Sequence, residues 1–544
     1  MKKRIFPILL FLWVCAPLGA QTFEKVFKSP VTEGVNKIIV NDKNEILLVI
    51  EHVDNYSHLN VSFQNRNVSL VKLNEKGDEI KRRKLHAYDF IQSFDSTYEY
   101  VFANSAIYKD NKYLLNASIR NDTSGLVGTN SVYSFELNED LDIINTKLNR
   151  RNMRDTSILM SNMKEFNSKY YGTGIFVTTR YNSSNILTDI FYSMLLSLDD
   201  SLSFSDYLLW GTRDSINLKI LYDYLIDKRG QVYLFGEGNS PDGVFTTEMQ
   251  LIKLDVNKNK LIHTYLNYPT LREFGEYTRL MIDNKARSFW LSDSTFLLAA
   301  YGPTDGWNSS FDFSDMHLMI YDTSLVLQKY HRVRNGKDST LISFLYNDVL
   351  VYDSINDYYY MGASIQKGKA LQEYVWGSGK IIDFNLVKFD KDLNIIFNRN
   401  YRRDKSLIFN SMAVDNKGNV IIGGTIQDLN TIYLAENDAF VLKVDSLGNY
   451  THTTITGIPT FGKIDRLNYE FAPNPSDGKF SFIQYNLQEV YTMDLYDIKG
   501  SFINTFTFKD SDNYFDISNQ QNGVYIYRLK DRMGRTASGK LIKQ

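Results

Sequence analysis

Residues 439–449 read AFVLKVDSLGN, a run of apolar residues that ends in a turn led by Asp. Such a run is typical of a short buried strand followed by a tight turn. The pattern recurs about every sixty residues, in six further segments: NVSLVKLNEKGD (67–78), SVYSFELNEDLD (131–142), MLLSLDDSLS (194–203), MQLIKLDVNKNK (249–260), HLMIYDTSLV (317–326) and FNLVKFDKDLN (384–394). Because one pattern repeats at a steady spacing, the body of the chain is predicted to be an array of one supersecondary unit.

Each unit is predicted to hold four strands, of which the repeated segment is the third. A polar loop separates it from an apolar second strand, predicted at Ile46–Ile50, Lys112–Ala117, Tyr170–Phe176, Val232–Glu237, Phe296–Tyr301, Tyr358–Ala363 and Asn419–Gly424. A more polar fourth strand follows, for example at Glu79–Leu85, Ile395–Tyr401 and Tyr450–Ile455. Four strands joined by tight turns form a β-propeller blade, and seven blades close a ring without an exposed sheet edge. The sequence therefore predicts an all-β fold, a seven-bladed β-propeller over residues 22–457.

The repeated segment also indicates the core and the family. When the copies are aligned, Leu70, Leu251, Leu386 and Val441 fall at one position, which we expect to face the core. The segment type, FLVKLDxxGN, resembles the repeats of secreted bacterial β-propeller proteins. Two segments compete to complete the last blade, Phe23–Lys28 and Tyr450–Ile455, and the sequence leaves that choice open.

The connections between strands differ in length from one face of the ring to the other. The turns between first and second strands and between third and fourth strands are short, as at residues 41–44 and 415–418. The connections between second and third strands are long: Asp54–Arg66, Asn121–Asn130, Tyr181–Asp189, Asn239–Thr247, Pro303–Asp315, Gln366–Ile382 and Gln427–Asn437. Long loops held by a rigid scaffold are where ligands bind, so we expect the binding surface on the long-loop face.

Those long loops carry aromatic residues beside Asn, Asp and Gly. The candidate ligand-binding residues are Tyr56, Trp307, Phe311, Tyr374 and Trp376. Aromatic rings flanked by hydrogen-bonding side chains suit the recognition of an extracellular glycan or protein. The alternative is that these rings fold back and fix each loop to its blade.

Catalytic patterns are few. None of the seven histidines (His52, His58, His86, His263, His317, His331 and His452) forms a paired metal-ligand motif, and most are expected to be structural. Asp312 and Asp315 are a candidate acid–base pair. The favoured function is therefore binding or adhesion, and the alternative is a polysaccharide- or peptide-degrading hydrolase or lyase with its site on the long-loop face. No cofactor and no metal site is predicted.

Composition and the N-terminus limit the partners and the compartment. The 61 basic and 63 acidic residues nearly cancel, which argues against nucleic-acid binding. Residues 1–20 read as a secretory signal peptide, with basic residues, an apolar run and a small-residue cleavage site. Cys15, the only cysteine, lies inside it, so the mature chain is expected to lack disulfides and thiol chemistry. An acylated Cys15 is an alternative, but bulky Trp13 and Val14 precede it. No transmembrane segment is expected in the mature chain.

The C-terminal stretch, residues 469–544, is a second domain, joined by a linker at 458–468. Short alternating strands separated by turn residues predict a small Ig-like antiparallel β-sandwich. Its distinctive residues fall in four blocks: Pro473, Asn474, Pro475 and Gly478; Tyr496, Asp497 and Gly500; Gly523 and Tyr525; Lys540, Leu541 and Ile542. In this order the blocks resemble the type A C-terminal sorting domain of the type IX secretion system of Bacteroidetes, the Por secretion family.

That resemblance implies a route and a partner. The chain would cross the inner membrane by its signal peptide. The type IX translocon and its sorting machinery would then recognise the C-terminal domain, remove it, and release the product or attach it to the outer cell surface.

Overall fold

The structure is a computed structural model. It describes residues 22–27, 32–53, 66–85, 99–121, 129–149, 156–181, 187–211, 218–239, 247–255, 260–265, 287–303, 314–333, 339–342, 348–367, 382–403, 405–427, 437–450, 469–484, 491–508, 514–531 and 536–544. Within these ranges every regular secondary-structure element is a β-strand, so the fold is all-β. The chain divides into two compact units, Met1–His452 and Thr453–Gln544.

The described strands of the N-terminal unit form seven antiparallel sheets. The first strand of the chain, β1 (Phe23–Phe27), belongs to the last of them. Sheet 1 contains β2 (Thr32–Val40), β3 (Ile46–Val53), β4 (Arg66–Leu73) and β5 (Glu79–Leu85). Sheet 2 contains β6 (Glu99–Lys109), β7 (Lys112–Asn121), β8 (Thr129–Asn138) and β9 (Ile143–Asn149). Sheet 3 contains β10 (Thr156–Phe166), β11 (Lys169–Tyr181), β12 (Leu187–Leu198) and β13 (Phe204–Gly211).

The remaining sheets repeat this order. Sheet 4 contains β14 (Leu218–Ile226), β15 (Val232–Asn239), β16 (Thr247–Asp255) and β17 (Lys260–Tyr265). Sheet 5 contains β18 (Arg287–Trp290), β19 (Thr295–Pro303), β20 (Ser314–Asp322) and β21 (Leu327–Val333). Sheet 6 contains β22 (Ser339–Ile342), β23 (Leu350–Asp353), β24 (Tyr358–Lys367), β25 (Ile382–Phe389) and β26 (Ile395–Tyr401). Sheet 7 contains β27 (Ser406–Val414), β28 (Val420–Gln427), β29 (Asn437–Val444) and the first strand, β1. All seven predicted second strands are confirmed.

The third strand of each sheet is apolar on both faces because a neighbouring sheet packs on each side. Strand β25 is buried along its whole length, whereas every residue of the fourth strand β26 except Tyr401 is exposed or only partly buried. Leu70, Leu251, Leu386 and Val441 are completely buried, which confirms the predicted core position.

Each sheet contacts the next, and sheet 7 contacts sheet 1. The last contact is close: a Cβ on Gly423 of β28 would lie 2.7 Å from a methyl carbon of Val35 on β2. The N-terminal strand completes sheet 7, because β1 pairs antiparallel with β29 from Phe23 opposite Lys443 to Phe27 opposite Ala439. The other segment that could have completed this sheet is Tyr450–Ile455. Tyr450 is not part of a strand, and residues 451–455 lie outside the described residues.

Lysines of the third strands join neighbouring sheets. Each ammonium group donates to a backbone oxygen in the turn that follows the third strand of the next sheet: Lys72 to Glu139, Lys253 to Thr323, Lys388 to Ser446 and Lys443 to Glu75. The last of these runs from sheet 7 to sheet 1, at 3.2 Å. The lysine of the repeated segment is therefore an inter-sheet contact, a role that the sequence pattern alone did not indicate.

The described residues of the C-terminal unit form seven strands: β30 (Tyr469–Ala472), β31 (Lys479–Gln484), β32 (Tyr491–Tyr496), β33 (Phe502–Phe508), β34 (Tyr514–Asp516), β35 (Gly523–Asp531) and β36 (Thr536–Lys543). They form two antiparallel sheets, with the orders β30-β31-β34 and β33-β32-β35-β36. Both sheets contribute to one aromatic-rich core, which includes Phe471, Phe482, Tyr491, Leu529 and Leu541. Strand β32 alternates strictly between buried and partly buried residues, as expected of a strand with one face on a core.

Candidate functional site

The predicted ligand-binding residues of the N-terminal unit, Tyr56, Trp307, Phe311, Tyr374 and Trp376, lie outside the described residues. Asp312 and His58 lie outside them as well. Asp315, the other half of the candidate acid–base pair, lies on β20 and is 1% exposed. Its Oδ2 accepts a hydrogen bond from Arg332 Nε at 2.7 Å, so this carboxylate belongs to a buried ion pair.

A serine, a histidine and a carboxylate meet in sheet 1. The ring of His52 on β3 lies between two partners, with Nδ1 2.7 Å from Glu33 Oε1 and Nε2 2.6 Å from Ser69 Oγ. Glu33 lies on β2 and Ser69 on β4, so three adjacent strands each contribute one group. This is the relation of nucleophile, base and orienting acid found in hydrolytic triads.

All three side chains are buried. Ser69 is 3% exposed, and Glu33 and His52 are 6% exposed each, so the hydroxyl is enclosed. In this state the network fastens three strands together and satisfies the buried polar atoms. The sequence alone predicts a structural role for His52 and does not reveal its partners, because only strand register brings the three residues together.

In the C-terminal unit, the first and the last motif blocks contact each other. Asn474 Nδ2 donates to the backbone oxygen of Lys540 at 3.0 Å, and Asn474 Oδ1 accepts from the amide of Ile542 at 2.9 Å. Beside them, the Ser476 amide donates to the Ile542 oxygen at 3.0 Å, and the Gln544 amide donates to the Ser476 oxygen at 2.9 Å. The side chain and backbone of residues 474–476 therefore act as a strand partner along the outer edge of β36.

The Tyr496 block forms the turn between β32 and β33. Asp497 accepts hydrogen bonds at its side chain from the amides of Lys499 and Ser501, both at 2.8 Å. The Ser501 amide, followed by the other donors of the turn, holds the pKa of Asp497 below its ordinary value. Gly500 has a φ of 86°, in the left-handed region that favours glycine.

The remaining motif residues shape the end of the terminal strand. Gly523 and Tyr525 lie on β35, opposite Lys543 and Leu541 of β36. Leu541 is completely buried, and the Tyr525 hydroxyl donates to the Gln521 oxygen. Gly478 has a φ of 107°, and a Cβ there would lie 2.7 Å from the Cα of Ser518. The sequence identified these blocks, but not that Pro473–Pro475 closes on the chain end.

Within the described ranges, no three side chains of His, Cys, Asp or Glu are grouped as a metal ion requires. No helix long and apolar enough to cross a membrane occurs in the same ranges.

Known proteins resemble this chain at two levels. Residues 470–544 match the secretion system C-terminal sorting domain family. No curated protein matches the chain. Among solved structures, the phage phi92 endosialidase is 10% identical, covers 96% of this chain and 87% of its own, and has a TM-score of 0.37. The Trypanosoma rangeli sialidase in complex with sialic acid is 8% identical, covers 94% and 84%, and has a TM-score of 0.34. A puromycin hydrolase is 10% identical, covers 92% and 61%, and has a TM-score of 0.40.

The family match falls on the segment in which the four motif blocks assemble around one aromatic core. Residues 470–544 are therefore a C-terminal sorting domain of the type IX secretion system, and the protein is one that this system exports to the cell surface or the extracellular space.

Proposed function

We propose that the exported protein is a binding or adhesion protein whose N-terminal unit is a seven-bladed β-propeller. The propeller spans Thr22–Gly457, the linker Ile458–Asn468, and an Ig-like sandwich completes the chain. The observation that carries the proposal is the cyclic order of contacts: each antiparallel sheet touches the next, and sheet 7 touches sheet 1. A closed ring of sheets is a rigid frame that presents loops around a central axis.

The ligand is an extracellular glycan or protein, held by the long connections. Within a sheet whose strands alternate in direction, all second-to-third connections leave from one face. The bounds of the flanking strands support the expected asymmetry, since β19 ends at Pro303 and β20 begins at Ser314, whereas β2 and β3 are separated only by residues 41–45. Aromatic residues in those connections supply contact area at a low entropic cost.

Binding is tested with the purified mature chain on glycan and peptide arrays. The double variant Trp307→Ala/Trp376→Ala should keep its circular dichroism spectrum and lose binding. The matched control is Tyr352→Ala, an aromatic that is 38% exposed on β23 beside the short turn to β24, and it should bind as the parent does. A folded double variant with full binding would refute the assignment of this face.

A second candidate function is hydrolysis, favoured by the arrangement of Glu33, His52 and Ser69. The imidazole would take the Ser69 proton as the oxygen attacks a carbonyl, and Glu33 would hold the ring and stabilise its charged form. A fluorophosphonate probe should then label the native chain, and labelling should vanish in Ser69→Ala. Absence of labelling in the folded parent would leave these three residues a structural network.

A further inference from the structure

A cluster of charged side chains lies on the first strands of sheets 1, 3, 4 and 5 and just before β23 of sheet 6. The first strands of the sheets contact one another in succession, β2 with β6, β6 with β10, β10 with β14 and β14 with β18, and β27 contacts β2. In the closed ring proposed above, strands that touch in this way are the innermost ones. Their side chains then line the central channel, and the inference below rests on that proposed ring.

The first strands carry bulges at corresponding places. Strand register shifts between Val35 and Lys37, between Ser161 and Lys164, and between Leu221 and Asp223. Bulges re-aim the side chains beside them and are frequent next to functional sites. In each of these strands the charged residue stands at the bulge, so the irregularities place charge on the channel side of several sheets.

Two ion pairs form the cluster. Lys37 Nζ lies 2.6 Å from Asp348 Oδ2, and the Ser411 hydroxyl donates to that oxygen at 3.0 Å. Lys164 Nζ lies 2.7 Å from Asp223 Oδ1 and 2.9 Å from the Tyr224 oxygen, to which it donates.

Arg287 is the fifth charge, and it lies on β18, the first strand of sheet 5. Its Nη1 donates to the backbone oxygen of Tyr222 at 3.0 Å, and its side chain is buried. Burial is the main cause that lowers the pKa of Lys164, and the Arg287 charge adds to it. Burial works to raise the pKa of Asp348, but Lys37 and then Arg287 hold it below its ordinary value. Five charges from five sheets therefore share one region, three of them positive and two negative.

The carboxylate of Asp223 is saturated and hidden. It accepts hydrogen bonds from Lys164, from Asn162, and from both the amide and the hydroxyl of Ser288 at 2.6 and 2.7 Å. Its side chain is completely buried, whereas the side chain of Lys164 is 32% exposed. What this part of the cluster presents to the channel is therefore positive charge.

Burial lowers the pKa of Lys164, and Asp223 opposes that change without reversing it. A further anion beside the ammonium would favour its charged form. An ammonium group has three donors and can bind an oxyanion while keeping its bond to Asp223.

We propose that Lys164 and Lys37, with Arg287 behind them, bind an oxyanion at the centre of the ring: the carboxylate or sulfate group of an acidic glycan. This deepens the proposed binding function by naming the ligand class. The whole chain has a net charge of −2, so the attraction is local to this cluster.

The test is isothermal titration calorimetry of the mature chain at low ionic strength, where screening is weak. Sodium glucuronate and sodium sulfate are the two anionic probes, and glucose is the neutral one. We expect at least one anion to bind, and the relative affinities of the two decide between a carboxylate and a sulfate ester. Glucose should not bind. Equal heats from glucose and the anions, or no heat from either anion, would overturn the proposal.

Two variants should change affinity in opposite directions, which misfolding cannot imitate. Lys164→Gln keeps a donor for Asp223 and should weaken anion binding at least about tenfold. Asp348→Asn removes a competing negative charge and should tighten it. Lys228→Gln is the matched control, since Lys228 is 80% exposed, lies in the turn after β14 and pairs with Asp293, which is not part of the cluster. Parental affinity in folded Lys164→Gln, or weaker binding in Asp348→Asn, would refute the site.

This result is separable from the proposed function. If the array experiment shows binding that Trp307→Ala/Trp376→Ala abolishes, while no anion binds to the parent, the long-loop face stands and the channel site falls. If no glycan or peptide binds but the anions do, the channel site stands and the long-loop face falls.

Discussion

Four of the described turns between third and fourth strands place a leucine in the left-handed region: Leu141 (φ 62°), Leu202 (φ 61°), Leu325 (φ 65°) and Leu393 (φ 61°). A side chain there costs about 1–2 kcal/mol. Each of these leucines is buried in the core, and burying a leucine contributes about 1.5–3 kcal/mol. Burial therefore offsets the strain, and the turn is anchored to its sheet.

Glycine stands at this turn position where an aromatic ring occupies the space that a side chain would need. In sheet 1 the same position is Gly77 (φ 88°), and a Cβ there would lie 2.7 Å from the ring of Phe23. In sheet 7 it is Gly448 (φ 74°), and a Cβ would lie 2.8 Å from the ring of Phe397. The choice between the two residues follows the neighbouring aromatic ring.

The first prediction concerns Leu141→Gly. Loss of a buried leucine costs about 2–5 kcal/mol, of which relief of backbone strain returns about 1–2 kcal/mol. We expect the free energy of unfolding to fall by about 1–3 kcal/mol, measured by urea denaturation. Leu447→Gly, at a turn residue that is 62% exposed, is the control and should change little. An unchanged midpoint for Leu141→Gly would contradict the anchoring role.

The second prediction concerns a buried ion pair. Lys443 Nζ lies 2.7 Å from Asp415 Oδ2, and the side chains are 1% and 0% exposed. Lys443→Met leaves a buried carboxylate without its cation, which should cost about 3–5 kcal/mol. Lys417→Met removes an exposed partner of Glu75 and should cost less than about 1 kcal/mol. Similar losses in both variants would show that burial of the pair is not the cause.

The same pair predicts a pH dependence. Burial works to raise the pKa of Asp415, but hydrogen bonds from Asn419 and Lys443 outweigh it, and the pKa lies below its ordinary value. A carboxyl group whose pKa is lower in the folded state stabilises the fold above its unfolded pKa of about 3.9, and that stability is lost as the pH falls through the folded value. Stability of Lys443→Met should therefore fall less steeply below about pH 4 than that of the parent.

At the scale of elements, β1 has the least local support. It is separated from its partner β29 by nearly the whole N-terminal unit, yet Phe23 and Phe27 are buried in the core between sheets 7 and 1. Glu24 is bound by Arg403 and by the Tyr450 hydroxyl, so the strand is held by side chains as well as by its ladder.

We predict that a chain beginning after Phe27 unfolds at a lower temperature, because an edge of sheet 7 and two aromatic sites are left open. A peptide of residues 22–27 added in trans should restore part of the loss. The same peptide with serine at positions 23 and 27 is the control and should not. Thermal unfolding followed by circular dichroism measures both, and a truncated chain as stable as the parent would refute the closing role.

Strand positions were largely readable from the sequence, and contacts between strands were not. Period-two and apolar patterns located β5, β26 and every second strand, because each follows from local residue order. The pairing of β1 with β29, the inter-sheet lysines and the Glu33–His52–Ser69 network depend on register and on which sheets are neighbours. A left-handed Leu141 was equally hidden, since leucine by itself disfavours that conformation.

For the whole molecule, the sorting domain should be both necessary and sufficient for export. Deleting Asn468–Gln544 should retain the N-terminal unit in the periplasm, measured by cell fractionation. A periplasmic reporter joined to residues 458–544 should reach the surface or the medium. The matched control is the same fusion with Asn474→Ala and Leu541→Asp. These changes remove the hydrogen bonds from the Asn474 side chain to β36 and a completely buried core residue. Efficient export of the deletion would contradict the assignment.

The antiparallel pairing of β1 and β29 has a mechanical consequence. Phe23 stands opposite Lys443, so the chain enters and leaves this ladder from the same end. Tension between the two ends of the N-terminal unit would break the hydrogen bonds of this ladder one residue pair at a time. It would not load all of them together in shear. The N-terminal unit should thus yield to a modest pull on its two ends, whereas the same unit tethered by one end alone bears no such load.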